Sequence, residues 1–409
     1  MDAARPSTEK TPSRRLAELD AVRGLAALIV VISHLAITIP AIDDANRANG
    51  LTVINLVRFS PLAGFIEGGA AVIVFFVLSG YVLALSYERG RQTYGGFLVR
   101  RVARLWFPYA AAVALAIVLA ALLGDEVIGA ASRWVNGSWQ GGIGLASPLE
   151  HFSLVWHMAD SSQFDPVIWT LMIEMRISLI FPLLLVALGV FGWRISMVGG
   201  VLLCVVGIAL NKHLLSDFNT LQYVMCFLAG AILARHHETI ARLMGRTVSA
   251  HRFLLLAVAL LLFTYGAWMP PELLPGPLGA AARSQVTLII ADTLAAVLFI
   301  ALARFPGRAR AFLRSALPQY FGRVSYSLYL LHAVMILAIL HLVDPGNVGL
   351  IVALMAPILL ISIVLAHFSQ RYIEAPSQRL GRRLARRVEG RHELPRPDAL
   401  RDAASAPAA

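Results

Sequence analysis

Residues 19–35 read LDAVRGLAALIVVISHL. The run is apolar enough for a membrane helix, yet it carries Arg23 near its start and His34 deep inside. Eleven residues separate the two. At about 100° per residue that is three turns plus roughly 20°, so both lie on one helix face, about 16 Å apart along the axis. An arginine at the centre of a membrane helix costs about 2.5–3.5 kcal/mol on insertion scales, so ionisable residues there usually have a task.

The rest of the chain fits that setting. Its 409 residues are 58% hydrophobic and only 14% charged, with mean hydropathy +0.71. Soluble domains average about 45–50% apolar and about 25% charged, so the composition implies an all-α, polytopic membrane bundle. The net charge of +11 comes from basic residues that punctuate apolar runs and form no single patch. That pattern suits bilayer anchoring and gives no reason to expect nucleic acid as a partner. Cys204 and Cys226 both fall within apolar segments, so neither a disulfide framework nor a cysteine metal site is indicated. The first 19 residues are polar, and the first membrane segment is expected to act as an uncleaved signal anchor.

Ten hydrophobic segments approach the length needed to cross about 30 Å of hydrocarbon: 20–40, 68–87, 104–124, 167–191, 194–211, 220–235, 252–270, 284–303, 322–343 and 348–369. With the N-terminus inside, the loops 88–103, 236–251 and 304–321 and the tail from 370 are cytoplasmic. Most of the 35 Lys and Arg then lie inside. Only Arg47, Arg58, Arg133, Lys212 and Arg283 fall outside. The positive-inside rule thus predicts ten spans with both termini cytoplasmic. The expected division is a cytoplasmic segment 1–19, a membrane domain 20–370, and a basic, largely disordered cytoplasmic tail 371–409. The outer loop 125–166 carries Trp134, Trp139 and Trp156, suited to interface anchoring or to stacking on sugars.

Several residues could carry chemistry. His34 is expected about 21 Å into the first segment, and Glu174, in WTLMIEMRISLIFP, about 10 Å below the outer surface. A histidine with a carboxylate at its level suits a general base with an orienting partner. Arg176 and Asp292 are expected to form a structural ion pair, because buried charges need partners. Ser325, Tyr329 and His332 sit at i, i+4 and i+7 in GRVSYSLYLLH and form one polar stripe, suited to line a cavity or to join helices. Arg101 and Arg104, in FLVRRVARLWFPY, share a face and either anchor the inner loop or form a fork for phosphates. No phosphate-binding glycine loop, CxxC, HExxH or GxSxG motif occurs. His151, His157 and Asp160 fit no ligand spacing, and no metal is expected.

Taken together, the motifs resemble those of the acyltransferase-3 family of integral membrane acyltransferases, which includes O-antigen and exopolysaccharide acetylases. The matching residues are Arg23 with His34, FFVLSGYVL with Ser79 and Gly80, Arg101 with Arg104, WTLMIE with Glu174 and Pro182, SYSLYLLH, and IEAPSQRL with Glu374 and Pro376. They span roughly residues 16–380. One departure is Ile73 or Val74, where many members have an aspartate before the FF pair. The chain is expected to be a membrane-only member. The resemblance implies acyl transfer, often of acetyl, from cytosolic acyl-CoA to a hydroxyl on a sugar-containing acceptor in the bacterial inner membrane. No tightly bound cofactor is implied. His34 would be the essential histidine, Arg23 its motif partner, and Arg101, Arg104 and Ser79 donor-side contacts. The alternative from the residues alone is a proton-coupled transporter using Glu174, Asp292 and His332. The absence of a repeat counts against it.

Overall fold

The computed structural model describes residues 16–47, 60–89, 93–124, 126–139, 151–155, 163–213, 219–245, 249–268, 276–282, 284–305 and 307–390. Among these the fold is helical, with no strand. The main helices are α1 (Ala17–Ala36), α2 (Gly68–Arg89), α3 (Tyr94–Leu123) and α4 (Trp169–His213). They continue with α5 (Asn219–Arg235), α6 (Ser249–Phe263), α7 (Gln285–Ala303), α8 (Ala316–Val343) and α9 (Val348–Ser369). A π-turn over Gln370–Glu374 then leads into α10 (Ala375–Val388).

Among the described residues, seven helices are long and apolar enough to cross a membrane, counting α4 once and the α9–α10 run once. Helix α6 is apolar but shorter, and α5 has 17 residues. The 45 residues of α4 are in fact two legs, because Gly192 adopts φ 74°, ψ 171°, a left-handed value that glycine takes without strain. Arg176 of the first leg bonds Thr220 at the start of α5, and Gly189 lies against Arg235 at its end. On the second leg, Gly200 meets Met225 and Gly207 meets Gln222. The first leg therefore runs parallel to α5 and the second antiparallel, so the chain turns back on itself at Gly192.

Two close crossings fix the centre of the bundle. A Cβ added to Gly24 would stand 2.3 Å from Gly322 N, and one on Gly230 would stand 2.0 Å from Val77 O. Helices in lipid associate by close packing of small residues, since apolar surface alone gives no drive to leave a lipid environment. The Gly24–Gly322 contact sets the register of α1 against α8. His34 and His332 meet at the same sequence offset, 298 residues, so these two helices run parallel, side by side, for ten residues.

Two expectations need correction. Arg101 and Arg104 lie within α3, not in a loop before it, because the helix starts already at Tyr94, behind a Thr93 cap. The stretch 371–388 of the expected disordered tail is helical. Ser377, Gly381 and Ala385 recur every four residues and are buried, and Gly381 sits directly on Ala103. The arginines occupy the other faces. Arg100 holds the end of this helix through Glu389 at 2.7 Å. Composition points to disorder, but the stripe of small residues lets the helix dock on α3.

Candidate active site

The parallel seam of α1 and α8 brings one polar face of each helix together. Ser325 and Tyr329 of α8 line a cavity of about 50 Å³ together with Arg23, Ser79, Arg104 and Glu174. Thr170 and Tyr326 complete its polar wall. The cavity has room for ordered water or a small polar group. Arg104 makes no hydrogen bond or ion pair of its own among the described residues. Arg23 reaches Asp20 on its own helix at 3.4 Å.

Glu174 is held firmly. It accepts from Ser79 Oγ at 2.7 Å and forms an ion pair with Arg101. Arg101, itself buried, also donates through Nε to Ser178 Oγ at 2.9 Å. Glu174 is therefore not the orienting partner expected for His34. The expected depth fails because α4 does not begin at the bundle surface. Phe164, Asp165, Val167 and Ile168, just before α4, are all buried, so the outer connection dips inward. Tyr94 at the start of α3 bonds Leu179 O at 2.8 Å. Glu174 thus belongs to the level of Arg101 and Ser79, near the Arg23 end of α1.

His34 meets a histidine instead. His332 Nε2 lies 3.1 Å from His34 Nδ1, and the rings are 5.1 Å apart. Each Nδ1 also faces a carbonyl one turn back, Val30 O at 3.0 Å for His34 and Leu328 O at 3.1 Å for His332. A carbonyl oxygen only accepts, so the proton of His332 sits on Nδ1 and its Nε2 is an acceptor. The proton of His34 then also sits on Nδ1, which leaves His34 Nε2 as an unshared base. Trp134 covers this imidazole, ring centres 5.0 Å apart.

Tyr329 joins the two parts. Its hydroxyl meets Thr170 Oγ1 at 2.8 Å and donates to Val167 O at 3.2 Å. Its ring lies 5.8 Å from that of His332. Ser325, Tyr329 and His332 thus form one line from the cationic cavity to the histidine pair, although His34 and His332 do not themselves line the cavity.

The remaining expectations fare differently. Arg176 donates to Val155 O at 2.8 Å and to Thr220 Oγ1 at 3.3 Å, not to Asp292, which lies within electrostatic reach of Glu67. The Arg176–Asp292 pair is not formed, because α5 stands beside Arg176. His157, Asp160 and Trp156 lie outside the described residues, and the described ones hold no cluster of metal-ligand type. Trp134, Thr170 and Tyr326 join the site unannounced by the sequence. Trp134 reads there only as an interface aromatic, and Thr170 and Tyr326 carry no pattern that spacing could reveal. Glu374, in the π-turn, stands out in the sequence only as part of a motif. It is buried and accepts from Ser327 at 2.8 Å and Gln378 at 3.1 Å. Asp165 also escapes sequence reasoning. Its Oδ1 accepts from Val167 N–H at 3.3 Å, its Oδ2 is buried without a partner among the described residues, and burial pushes its pKa up to about 8.

A family described as an acyltransferase domain matches residues 16–367. The chain belongs to the acyltransferase-3 family. No curated protein and no solved structure matches it. This membrane acyltransferase carries its histidine pair and its cationic cavity within the matched residues. Membership sets the transporter alternative aside, and the geometry agrees. Glu174 is ion-paired and Asp292 stands apart, so Glu174, Asp292 and His332 do not form one row.

Proposed function

We propose that this acyltransferase moves an acyl group, acetyl in the simplest case, from cytosolic acyl-CoA to a hydroxyl of a sugar-containing acceptor such as an envelope polysaccharide or its lipid-linked precursor. The setting is a ten-span bundle in the bacterial inner membrane, both termini cytoplasmic. The parallel run of α1 and α8 supports this topology, since an odd number of crossings must separate two parallel spans. One observation carries the chemistry: the free Nε2 of His34 lies at one end of a polar line whose other end holds Arg23 and Arg104.

Arg23 and Arg104 bind the anionic part of the donor, where two half-buried guanidiniums favour phosphate oxygens. The extended donor arm runs along Tyr329 towards His34, about 16 Å away along α1. His34 Nε2 takes the proton of the acceptor hydroxyl as that oxygen attacks the acyl carbon. The carbon–sulfur bond breaks, and the proton passes from His34 to the departing thiolate to give free CoA. His332 and Val30 O hold the imidazole in the required tautomer. Arg101 and Ser79 position Glu174, whose carboxylate balances the cations, and Ser79 lines the donor cavity beside it.

Turnover of labelled acetyl-CoA in membranes tests this. His34→Ala should lower the rate by about 100- to 10,000-fold, the usual contribution of a general base. Undiminished turnover would sink the proposal. Arg104→Ala should chiefly raise KM for acyl-CoA, and an unchanged KM removes Arg104 from the donor site.

A further inference from the structure

On the side of α1 away from Arg23 and His34 lies a second cavity, of about 350 Å³ and almost wholly apolar. Leu25 and Ile29 of α1, Leu256, Leu260 and Phe263 of α6, and Phe312 form much of its wall. Helices α1 and α2 separate it from the polar cavity. Val22 and Val74 face this groove, whereas their neighbours Arg23, Val72 and Phe75 face the other. It therefore does not extend the donor path.

One end of the groove is rimmed by positive charge. The short helix Arg308–Arg314, RARAFLR, turns Ala309, Phe312 and Leu313 into the groove. Its arginines fall on the other faces. Arg310 and Arg314 bond Glu18 at 2.6 and 2.9 Å, and Arg308 is exposed and makes no ion pair among the described residues. Arg252 precedes Leu256 by one turn of α6, and its guanidinium lies over the Phe305 ring at 6.0 Å. Among the described residues, Arg308, Arg310 and Arg314 thus share the single carboxylate of Glu18, which leaves the rim cationic.

We propose that this groove is a binding site for an anionic glycerophospholipid of the surrounding bilayer, with an acyl chain against Leu25, Leu260 and Phe312 and the phosphate at Arg308. An apolar slot capped by a basic interfacial helix recognises both halves of such a lipid. A lipid-linked acceptor is a poorer fit. The basic rim lies at the Glu18 end of α1, so a headgroup there is far from His34.

Native mass spectrometry and thermal unfolding of the detergent-purified full chain, with added phosphatidylglycerol or phosphatidylcholine, test the site. The parent should retain phosphatidylglycerol and be stabilised by it more than by phosphatidylcholine. Leu260→Trp and Phe312→Trp, each filling the groove from an exposed position, should remove the bound lipid and the stabilisation. Both should leave acyl-CoA turnover unchanged, so this result stands apart from the catalytic proposal. Arg308→Gln should lower the preference for the anionic lipid about fivefold, the effect of about one interfacial charge. Parent-like lipid retention in both tryptophan variants, an unchanged headgroup preference in Arg308→Gln, a polyprenyl-linked sugar as the retained species, or a second copy of the chain seated in the groove would each overturn the assignment.

Discussion

Helices α8 and α9 follow one another in the chain, and both are apolar for most of their length, yet they occupy opposite environments. The membrane-length window of α8 is 72% buried inside the bundle, against 17% for the run that includes α9. Helix α9 presents Val352, Leu360, Ile361, Val364 and Phe368 outward. Helix α8 is the less apolar of the two and places Ser325, Ser327, Tyr329 and His332 in the interior. In water the more apolar helix would be the more deeply buried. In lipid the order reverses, because apolar side chains lose nothing at the lipid face and polar ones need partners inside the protein. In this protein, the polar interruptions of an apolar run mark the inside of the bundle.

Substitutions that treat the two helices alike should therefore give unlike results. The largest effect belongs to the α1–α8 crossing. Gly24→Leu puts a side chain where Gly322 backbone already stands and should abolish folded protein, read as loss of monodisperse material on size exclusion. Ala356→Leu, on the exposed side of α9, should leave yield and unfolding temperature unchanged. Equal losses from both would break the contrast.

Next comes Arg101→Leu, which strands the Glu174 carboxylate. Breaking a buried pair costs about 3–5 kcal/mol, whereas replacing both partners is far milder. Thermal unfolding of Arg101→Leu, and of the double variant Arg101→Leu/Glu174→Leu, checks this: the second should recover much of the loss. A smaller, purely kinetic effect is expected for His332→Phe. With one support of the His34 tautomer gone, kcat should fall about 100-fold, the scale of a slight misplacement, while KM for acyl-CoA stays near its parent value. Leu359→Ala on α9 should change neither.

The last effect is a pH dependence. Asp165 has a pKa of about 8 in the folded protein, raised by burial from its ordinary value of 3.8. Between those values the folded state holds more protons than the unfolded one, so this group's contribution to stability declines as pH rises from about 4 to about 8. Asp165→Asn should flatten that part of the stability profile in chemical denaturation. A slope unchanged by the substitution would show that another group carries it.

Much of this is legible in the sequence. The apolar runs place most of the helices within a few residues, the early start of α3 at Tyr94 being the main exception, and the turn at Gly192 falls where segments four and five divide. The shared face of Arg23 and His34 and the stripe Ser325–Tyr329–His332 follow from helical period alone. Partner choice is not legible. Depth pairs Glu174 with His34 only if α4 starts at the surface, and it does not. Need alone pairs Arg176 with Asp292, but the carbonyl of Val155 and Thr220 meet that need instead.

The sequence by itself determined a membrane-embedded helical protein with histidine and arginine on one face of its first helix. Hydropathy and the 3.6-residue period act within a segment and need no knowledge of neighbours. Only the tertiary structure decided which polar groups meet. The register of 298 residues between α1 and α8 is set where Gly24 and Gly322 let two backbones touch. That contact puts His332, rather than Glu174, beside His34, and leaves Arg104, rather than Arg101, free to face the cavity.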